Sequence, residues 1–187
     1  MTYGNLAVPA PSVNIIVTDY HSAAGISEDG LYRYWLTRRW KKDGQLLGFV
    51  MLNPSTADAH ANDRTIDKCC RYAELHGYSG IYVVNLFAYR ATDPKWLLSG
   101  AVDPVGQCNN MAITGMMLCC TDVVLAWGAP TGALGRMTER RALEVQSLLK
   151  NTNTLTLKLT KDGKPGHPLY LKQDLKLQPH PLPEVHP

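Results

Sequence analysis

Short apolar runs of strand-forming residues alternate along this chain with segments of helical periodicity. Residues 81–87 (IYVVNLF) and 122–127 (DVVLAW) have the composition of strands that are buried on both faces. Residues 108–120 and 134–150 are predicted as helices between and after them. Alternating strands and helices are typical of parallel sheets with helices on both faces. The sequence therefore predicts an α/β fold, a three-layer sandwich around a mostly parallel central sheet.

An antiparallel hairpin is predicted ahead of this sheet. Residues 31–40 are rich in aromatic side chains, and residues 45–52 form a second apolar run. Asp43-Gly44 between them is a strong turn signal. We therefore expect these two strands to pair with each other.

One further helix and one further strand complete the predicted order. The helix is indicated by apolar residues at the spacing of one helix face, namely Ile66, Cys69, Cys70 and Ala73. Gly77 is expected to end it. The last strand is predicted over residues 154–159, and a loop follows over residues 161–168.

Length and composition limit the classes of protein. The chain has 187 residues, of which 45% are hydrophobic and 19% charged, with a formal net charge of +3. We expect a single domain over residues 1–178, with an extended lead-in over residues 1–12 and a proline-rich tail over residues 179–187. No apolar stretch approaches the roughly 20 residues of a membrane span, and no signal peptide is visible.

The cysteines favour a reducing, cytoplasmic setting. There are five, an odd number, and four of them form two adjacent pairs. Adjacent cysteines in a helix point in different directions, so neither pair is expected to form a disulfide or a metal clamp. Glycine-rich phosphate-binding signatures are absent as well. We therefore predict neither a metal nor a cofactor.

Polar residues follow the predicted parallel strands at their carboxyl ends, where open α/β sheets bind ligands. They are Asn53, Asn85, Gly128 and His167. Each has a structural alternative. Asn-Pro-Ser is a common turn and helix-start signal, a buried Asn85 can tie down a loop instead of a ligand, and a histidine beside proline is often a surface residue. Their convergence favours a site, and we expect Asn53, Asn85 and His167 to line one pocket.

These segments resemble the uracil-DNA glycosylase superfamily, in the same order along the chain. The matching strings are Met51-Leu52-Asn53-Pro54, Val83-Val84-Asn85-Leu86, Leu125-Ala126-Trp127-Gly128 and His167-Pro168-Leu169. The resemblance implies a uracil-DNA-glycosylase-like fold and hydrolysis of the N-glycosidic bond of a natural or modified base in DNA.

A closer resemblance covers nearly the whole chain. The strings LNPSTAD, VVNLFAYRATDP and GHPLYL are similar to a family known mainly as domain of unknown function 1643. Its members occur in bacteria and phages. This second resemblance names a family and assigns it no reaction.

The glycosylase resemblance implies roles for individual residues. Asn53 would position water, and His167 would donate to the base as negative charge develops. Asp58 or Asp63 would assist, or would simply cap the following helix. Base or substrate binding is predicted for Pro54, Ser55, Asn85, Phe87, Trp127 and Gly128, and phosphate binding for Arg64, Arg90 and Lys172.

Two alternatives to a DNA glycosylase remain open. The first is a non-catalytic module that binds a nucleobase or nucleic acid on the same fold. The second is an enzyme that acts on free nucleotides. Asn53 cannot accept a proton as a carboxylate does, so the sequence predicts slow chemistry or a nearby carboxylate. All three hypotheses expect DNA or a nucleotide as the partner.

Overall fold

A computed structural model describes residues 12–19, 21–180 and 182 of the chain. In this part of the chain, one eight-stranded sheet is combined with three α-helices. The elements in chain order are β1 (Val13–Asp19), β2 (Ser22–Ser27), β3 (Arg33–Arg39), β4 (Leu46–Met51), α1 (Arg64–Leu75), β5 (Gly80–Asn85), α2 (Asn109–Met116), β6 (Asp122–Leu125), α3 (Gly132–Leu148), β7 (Asn153–Thr156) and β8 (Gln178–Pro179).

The sheet is mixed, with a parallel centre. The strand order is β1-β2-β3-β5-β4-β6-β7-β8. The pairs β5-β4, β4-β6 and β6-β7 are parallel, and the other four pairs of described strands are antiparallel. The predicted α/β class is confirmed, but the prediction of a mostly parallel sheet is wrong. Antiparallel strands extend both sides of the parallel centre.

The predicted hairpin of residues 31–40 and 45–52 is also wrong. The turn exists, with Gly44 at φ +105°, but β3 and β4 are separated in the sheet by β5. β5 pairs antiparallel with β3 and parallel with β4. β4 and β5 are apolar and buried, as is typical of central parallel strands with both faces covered. Their parallel pairing places β5 beside β4, and this long-range pairing prevails over the local turn signal. The first hairpin is instead β1-β2, which the sequence reasoning missed.

The helices cover both faces of the sheet. On one face, α1 packs Ile66, Cys69 and Tyr72 against inward residues of the strands such as Phe49. On the other face, α2 and α3 pack against a second cluster that includes Val84. Burial of both clusters removes apolar surface from water and stabilises the layered arrangement.

The predicted helices are confirmed with shifted ends. α1 ends at Leu75 with His76 as its C-cap, and Gly77 follows at φ +82°, a backbone conformation that favours glycine. The predicted lead-in lies outside the described residues except for Ser12, and so does most of the predicted tail. The division into residues 1–178 and 179–187 stays a prediction. None of the described helices is long and apolar enough to cross a membrane.

Candidate functional site

A cavity of about 580 Å³ lies at the carboxyl edge of β4 and β6. The loop after β4 contributes Asn53 and Ser55 to its wall, and the loop after β6 contributes Trp127 and Gly128. His167 comes from the segment that follows β7. Three separate loops therefore converge on one space, as expected at the carboxyl edge of parallel strands. The volume is within the range of small-molecule sites.

Asn53 is held with its carbonyl oxygen unengaged. Its Nδ2 donates to the carbonyl of Ala91 at 2.7 Å and to that of Pro54 at 3.0 Å. Oδ1 makes no hydrogen bond to any described residue, and the side chain lines the cavity. The orientation fixed through Nδ2 leaves one acceptor for a water or a ligand donor.

His167 is held as a neutral donor. Its Nδ1 accepts from the backbone N–H of Leu169 at 3.3 Å, which places the ring proton of the neutral form on Nε2. Burial lowers the pKa of His167, and the nearby Asp63 carboxylate opposes this shift only in part. The imidazole is therefore neutral at pH 7 and keeps one N–H to donate.

Gly128 permits the close approach of this histidine. Its φ of +80° favours glycine, and a Cβ at this position would lie 3.2 Å from the Cβ of His167. Lys68 anchors the same segment from α1, because its Nζ donates to the carbonyls of Leu169 and Leu171 at 3.0 and 2.7 Å. The His167 loop is thus fixed from two sides.

Asp63 combines the two roles that the sequence left open. Its Oδ1 accepts from the N–H groups of Thr65 and Ile66 at 2.9 Å, so it is the N-cap of α1. It also lines the cavity, and its second carboxylate oxygen makes no hydrogen bond to described residues. Asp58 differs, because its Oδ1 accepts from backbone N–H groups of its own turn and it does not line the cavity.

Asn85 is completely buried behind the cavity wall. It pairs in register with Met51, which lines the cavity, but Asn85 itself is not a lining residue. Neither its Oδ1 nor its Nδ2 has a hydrogen-bond partner among the described residues. The predicted pocket of Asn53, Asn85 and His167 therefore contains two of the three side chains.

The remaining predicted residues lie outside the cavity. Pro54 is buried, and Phe87 lines a different cavity beside α3. Of the predicted phosphate-binding residues, Arg90 donates from Nη1 to the carbonyl of Gly30 at 3.2 Å. Arg64 and Lys172 are exposed and absent from the cavity wall. Their predicted roles therefore involve a surface outside this cavity.

Arg33 is the cavity residue that sequence reasoning missed. Gly25 pairs with Trp35 and Ile26 with Arg33, so β3 contains one extra residue, Tyr34, at this point. This bulge reverses the alternation and places Arg33 on the same face as Leu36, towards α1. The signal available in the sequence was an arginine between two tyrosines, Tyr32 and Tyr34, in an aromatic strand.

Arg33 is 1% exposed and incompletely partnered. Its Nη1 donates to the carbonyl of Ala57 at 2.5 Å, and its Nε has no partner among the described residues. Burial lowers the pKa of Arg33 to about 10, while Asp63 partly restores it. The cavity therefore has a buried cation in its wall.

The comparisons with known proteins give a family and little else. A family model described as protein of unknown function, DUF1643, matches residues 33–169. Neither the curated proteins nor the solved structures contain a significant match to the chain. Within the described residues, no group of three or more His, Cys, Asp or Glu side chains is placed to hold a metal ion. The matched segment covers most of the chain and all of the residues that line the cavity except Tyr170 and Leu171, and the chain belongs to the DUF1643 family.

Proposed function

We propose that this protein hydrolyses the N-glycosidic bond of a nucleotide whose base enters the cavity at the carboxyl edge of β4 and β6. The proposal includes a uracil-DNA-glycosylase-like fold, as the order of the strand-end motifs implies. The observation that carries it is the convergence of Asn53, Asp63 and His167 on one cavity of about 580 Å³. That volume is sufficient for a base and its sugar.

Each of these side chains retains a free polar atom suited to one step. Glycosidic hydrolysis needs a placed water, a group that takes its proton, and a donor to the departing base. Asn53 Oδ1 is free to orient the water, and the second oxygen of Asp63 is free to take a proton. The Nε2–H of His167 is free to stabilise negative charge on the base.

Trp127 supplies the apolar surface of the site. It is 5% exposed, lines the cavity and belongs to the core cluster beneath α2 and α3. An indole held this firmly offers a rigid surface for a planar base. The cavity is thus apolar over part of its wall and polar where Asn53, Asp63 and His167 meet.

The test is base release from single-stranded DNA, duplex DNA and free nucleotides that contain natural and modified bases. For a substrate that is cleaved, we expect His167→Gln to slow release by about a hundredfold, the usual contribution of one positioned donor. His60→Gln is the matched control, since His60 is exposed and outside the cavity. Equal loss in both variants would contradict the role of His167.

A non-catalytic binding module is the second candidate. The observation that favours it is Asn53, an amide at the position where a carboxylate would activate water most directly. On this alternative, no base is released from any substrate, yet a nucleotide or DNA binds. In that case Asp63→Asn leaves affinity unchanged, whereas for the enzyme it abolishes turnover while binding is retained.

A further inference from the structure

Arg33 is a buried cation that forms no ion pair with any acid among the described residues. The ion pairs within 4.0 Å in this part of the chain are Arg141–Glu144 and Lys164–Glu139, and Arg33 takes part in neither. Burial of a guanidinium is costly unless its charge is paired and its N–H groups are bonded. The described residues supply one carbonyl, that of Ala57, and none of them accepts a hydrogen bond from Nε.

The charges around Arg33 leave a net positive balance. Asp63 and Asp58 attract it, whereas Arg38 and Arg90 repel it, so these four neighbours cancel and Arg33 itself remains as one positive charge. Asp63 is the acid with the largest electrostatic effect on Arg33, but its Oδ1 already accepts hydrogen bonds from backbone N–H groups in the first turn of α1. An added anion would supply the paired negative charge that Arg33 lacks among the described residues.

We propose that Arg33 binds an anionic group of the ligand in this cavity, and that this group is a phosphate monoester. The inference rests on the proposed function, because it takes a nucleotide as the ligand. Arginine presents several N–H groups in a planar fork that matches two phosphate oxygens. Nε lies at one edge of this fork, and it is buried without a hydrogen-bond partner among the described residues.

The position of Arg33 favours a terminal phosphate over a phosphodiester within DNA. The side chain is almost completely buried, and the loop after β4 and the first turn of α1 line the cavity beside it. A phosphodiester continues as a polymer on both sides, so it would need two exits from this position. A phosphate monoester needs none. The substrate class is therefore a free nucleoside monophosphate or a terminal nucleotide.

The experiment measures binding of three probes to the wild-type protein by calorimetry. They are a nucleoside, its 5′-monophosphate and a dinucleotide that contains the same base joined through a phosphodiester. We expect the monophosphate to bind at least about tenfold more tightly than the other two, since one charge-assisted pair contributes that much. Inorganic phosphate should compete with the monophosphate and leave nucleoside binding unchanged.

Two substitutions of Arg33 test how much its guanidinium group contributes to binding of the monophosphate. Arg33→Gln should remove the preference for the monophosphate, and Arg33→Lys should retain part of it, because the charge remains without the fork. Arg39→Gln is the matched control, since Arg39 lies on the same strand, also donates to backbone carbonyls and does not line the cavity. Thermal unfolding of each variant establishes that it is folded.

The outcomes separate this inference from the proposed function. Equal affinity of the wild-type protein for nucleoside and monophosphate overturns the inference, whether or not the variants fold, and so does tighter binding of the dinucleotide. Absence of binding by all three probes also overturns it. A monophosphate preference without base release supports the inference while contradicting the proposed reaction. Base release without a monophosphate preference would support the proposed reaction and overturn the inference about Arg33.

Discussion

Arg33 and Arg141 are buried on opposite faces of the sheet, and their surroundings differ. Arg141 of α3 is 4% exposed, and each of its three nitrogens has a partner. Nε donates to the carbonyl of Leu86, Nη1 to Glu144 and Nη2 to Asn110. Arg33 is buried more deeply, yet among the described residues it has one carbonyl partner and no acid within salt-bridge distance.

The difference separates polar groups used for packing from polar groups held for a ligand. The cluster around Arg141 is complete, so it fixes α3 against the carboxyl end of β5 and needs nothing further. On the α1 face, Nε of Arg33 and both polar atoms of the Asn85 side chain are buried without partners among the described residues, whereas α2 and α3 each contain one such atom, an oxygen of Asn109 and of Thr138. Such groups lower stability unless something else satisfies them. Strain of this kind concentrates at sites that bind or react.

Removal of the two arginines should have unequal effects on stability, the largest effect that we predict. Arg141→Met leaves the Leu86 carbonyl and Asn110 without a shared donor, so the free energy of unfolding should fall by about 3 kcal/mol. Arg33→Met removes one hydrogen bond together with a poorly paired buried charge, so the loss should be about 1 kcal/mol or less. Urea denaturation of both variants measures these values.

The comparison fails if the two losses are equal, or if Arg33→Met is the more destabilising change. Either result would make Arg33 a structural group that holds the loop after β4 through Ala57. Arg38 provides a reference for that role. It donates to the carbonyls of Asp58 and Ala61 in the same loop. Arg38→Met should therefore cost more stability than Arg33→Met.

Asn85 gives a prediction of opposite sign. Because neither polar atom of its side chain is bonded, Asn85→Leu should raise the free energy of unfolding by about 1 kcal/mol. Asn109→Leu is the matched change on the α2 face, where Nδ2 donates to the carbonyls of Asn85 and Leu86 while Oδ1 is unpartnered. It should lower stability by about 1 kcal/mol.

Thermal denaturation of the two variants decides this prediction. Destabilisation by Asn85→Leu would mean that its amide is satisfied within the protein, and the contrast between the two faces would disappear. Stabilisation accompanied by loss of base release would indicate that the amide is kept for function, as in many sites where activity and stability compete.

The smallest effect is the pH dependence contributed by His167. Its pKa in the folded protein lies below the usual value of 6.5 because of burial, so the unfolded chain binds a proton more readily. The contribution of His167 to stability is complete above pH 6.5 and is lost as pH falls through the folded-state pKa. Burial shifts the pKa of His180 in the same direction, at a position outside this cavity.

The measurement compares unfolding free energies of wild-type protein, His167→Asn and His180→Asn between pH 7.5 and 5. His167→Asn should lose less stability across this range than the wild type does. The wild type should recover its lost stability when a ligand fills the cavity, whereas a ligand should leave the His180 contribution unchanged. Identical pH profiles for wild type and His167→Asn would contradict the burial of the ring.

The sequence predicted local elements better than their pairing. The apolar runs that became β5 and β6 and the helix face of Ile66 and Cys69 are local patterns, and the structure confirms them. The position of β5 between β3 and β4 depends on long-range strand pairing, which the local turn signal at Asp43-Gly44 does not predict. β2 was missed, since Ala23, Ala24 and Gly25 have little strand preference of their own, and its partner β1 was missed although its valines and isoleucines favour a strand.

The site was predicted where it depended on strand ends and missed where it depended on a bulge. Asn53 and Gly128 follow β4 and β6 within three residues, and His167 lies in the segment after β7, so the strand ends located them at the cavity. Arg33 reaches the same cavity only because the extra residue Tyr34 reverses the alternation of β3. The alternation of side chains expected for a regular strand does not predict this change of face at Arg33. It also does not predict that Asn85 lies behind the wall of the cavity.

The most direct test of the account is amide NMR of the labelled protein during titration with deoxynucleoside monophosphates of the natural bases and uracil. We predict changes in the chemical shifts of the non-proline backbone amides of residues 52–55, 127–129 and 166–171. The Nε–H signal of Arg33 should change with them. Signals of α2 and of Arg141 should stay unchanged. Shifts confined to the α2–α3 face, or none at saturating ligand, would contradict the placement of the ligand site at the carboxyl edge of β4 and β6.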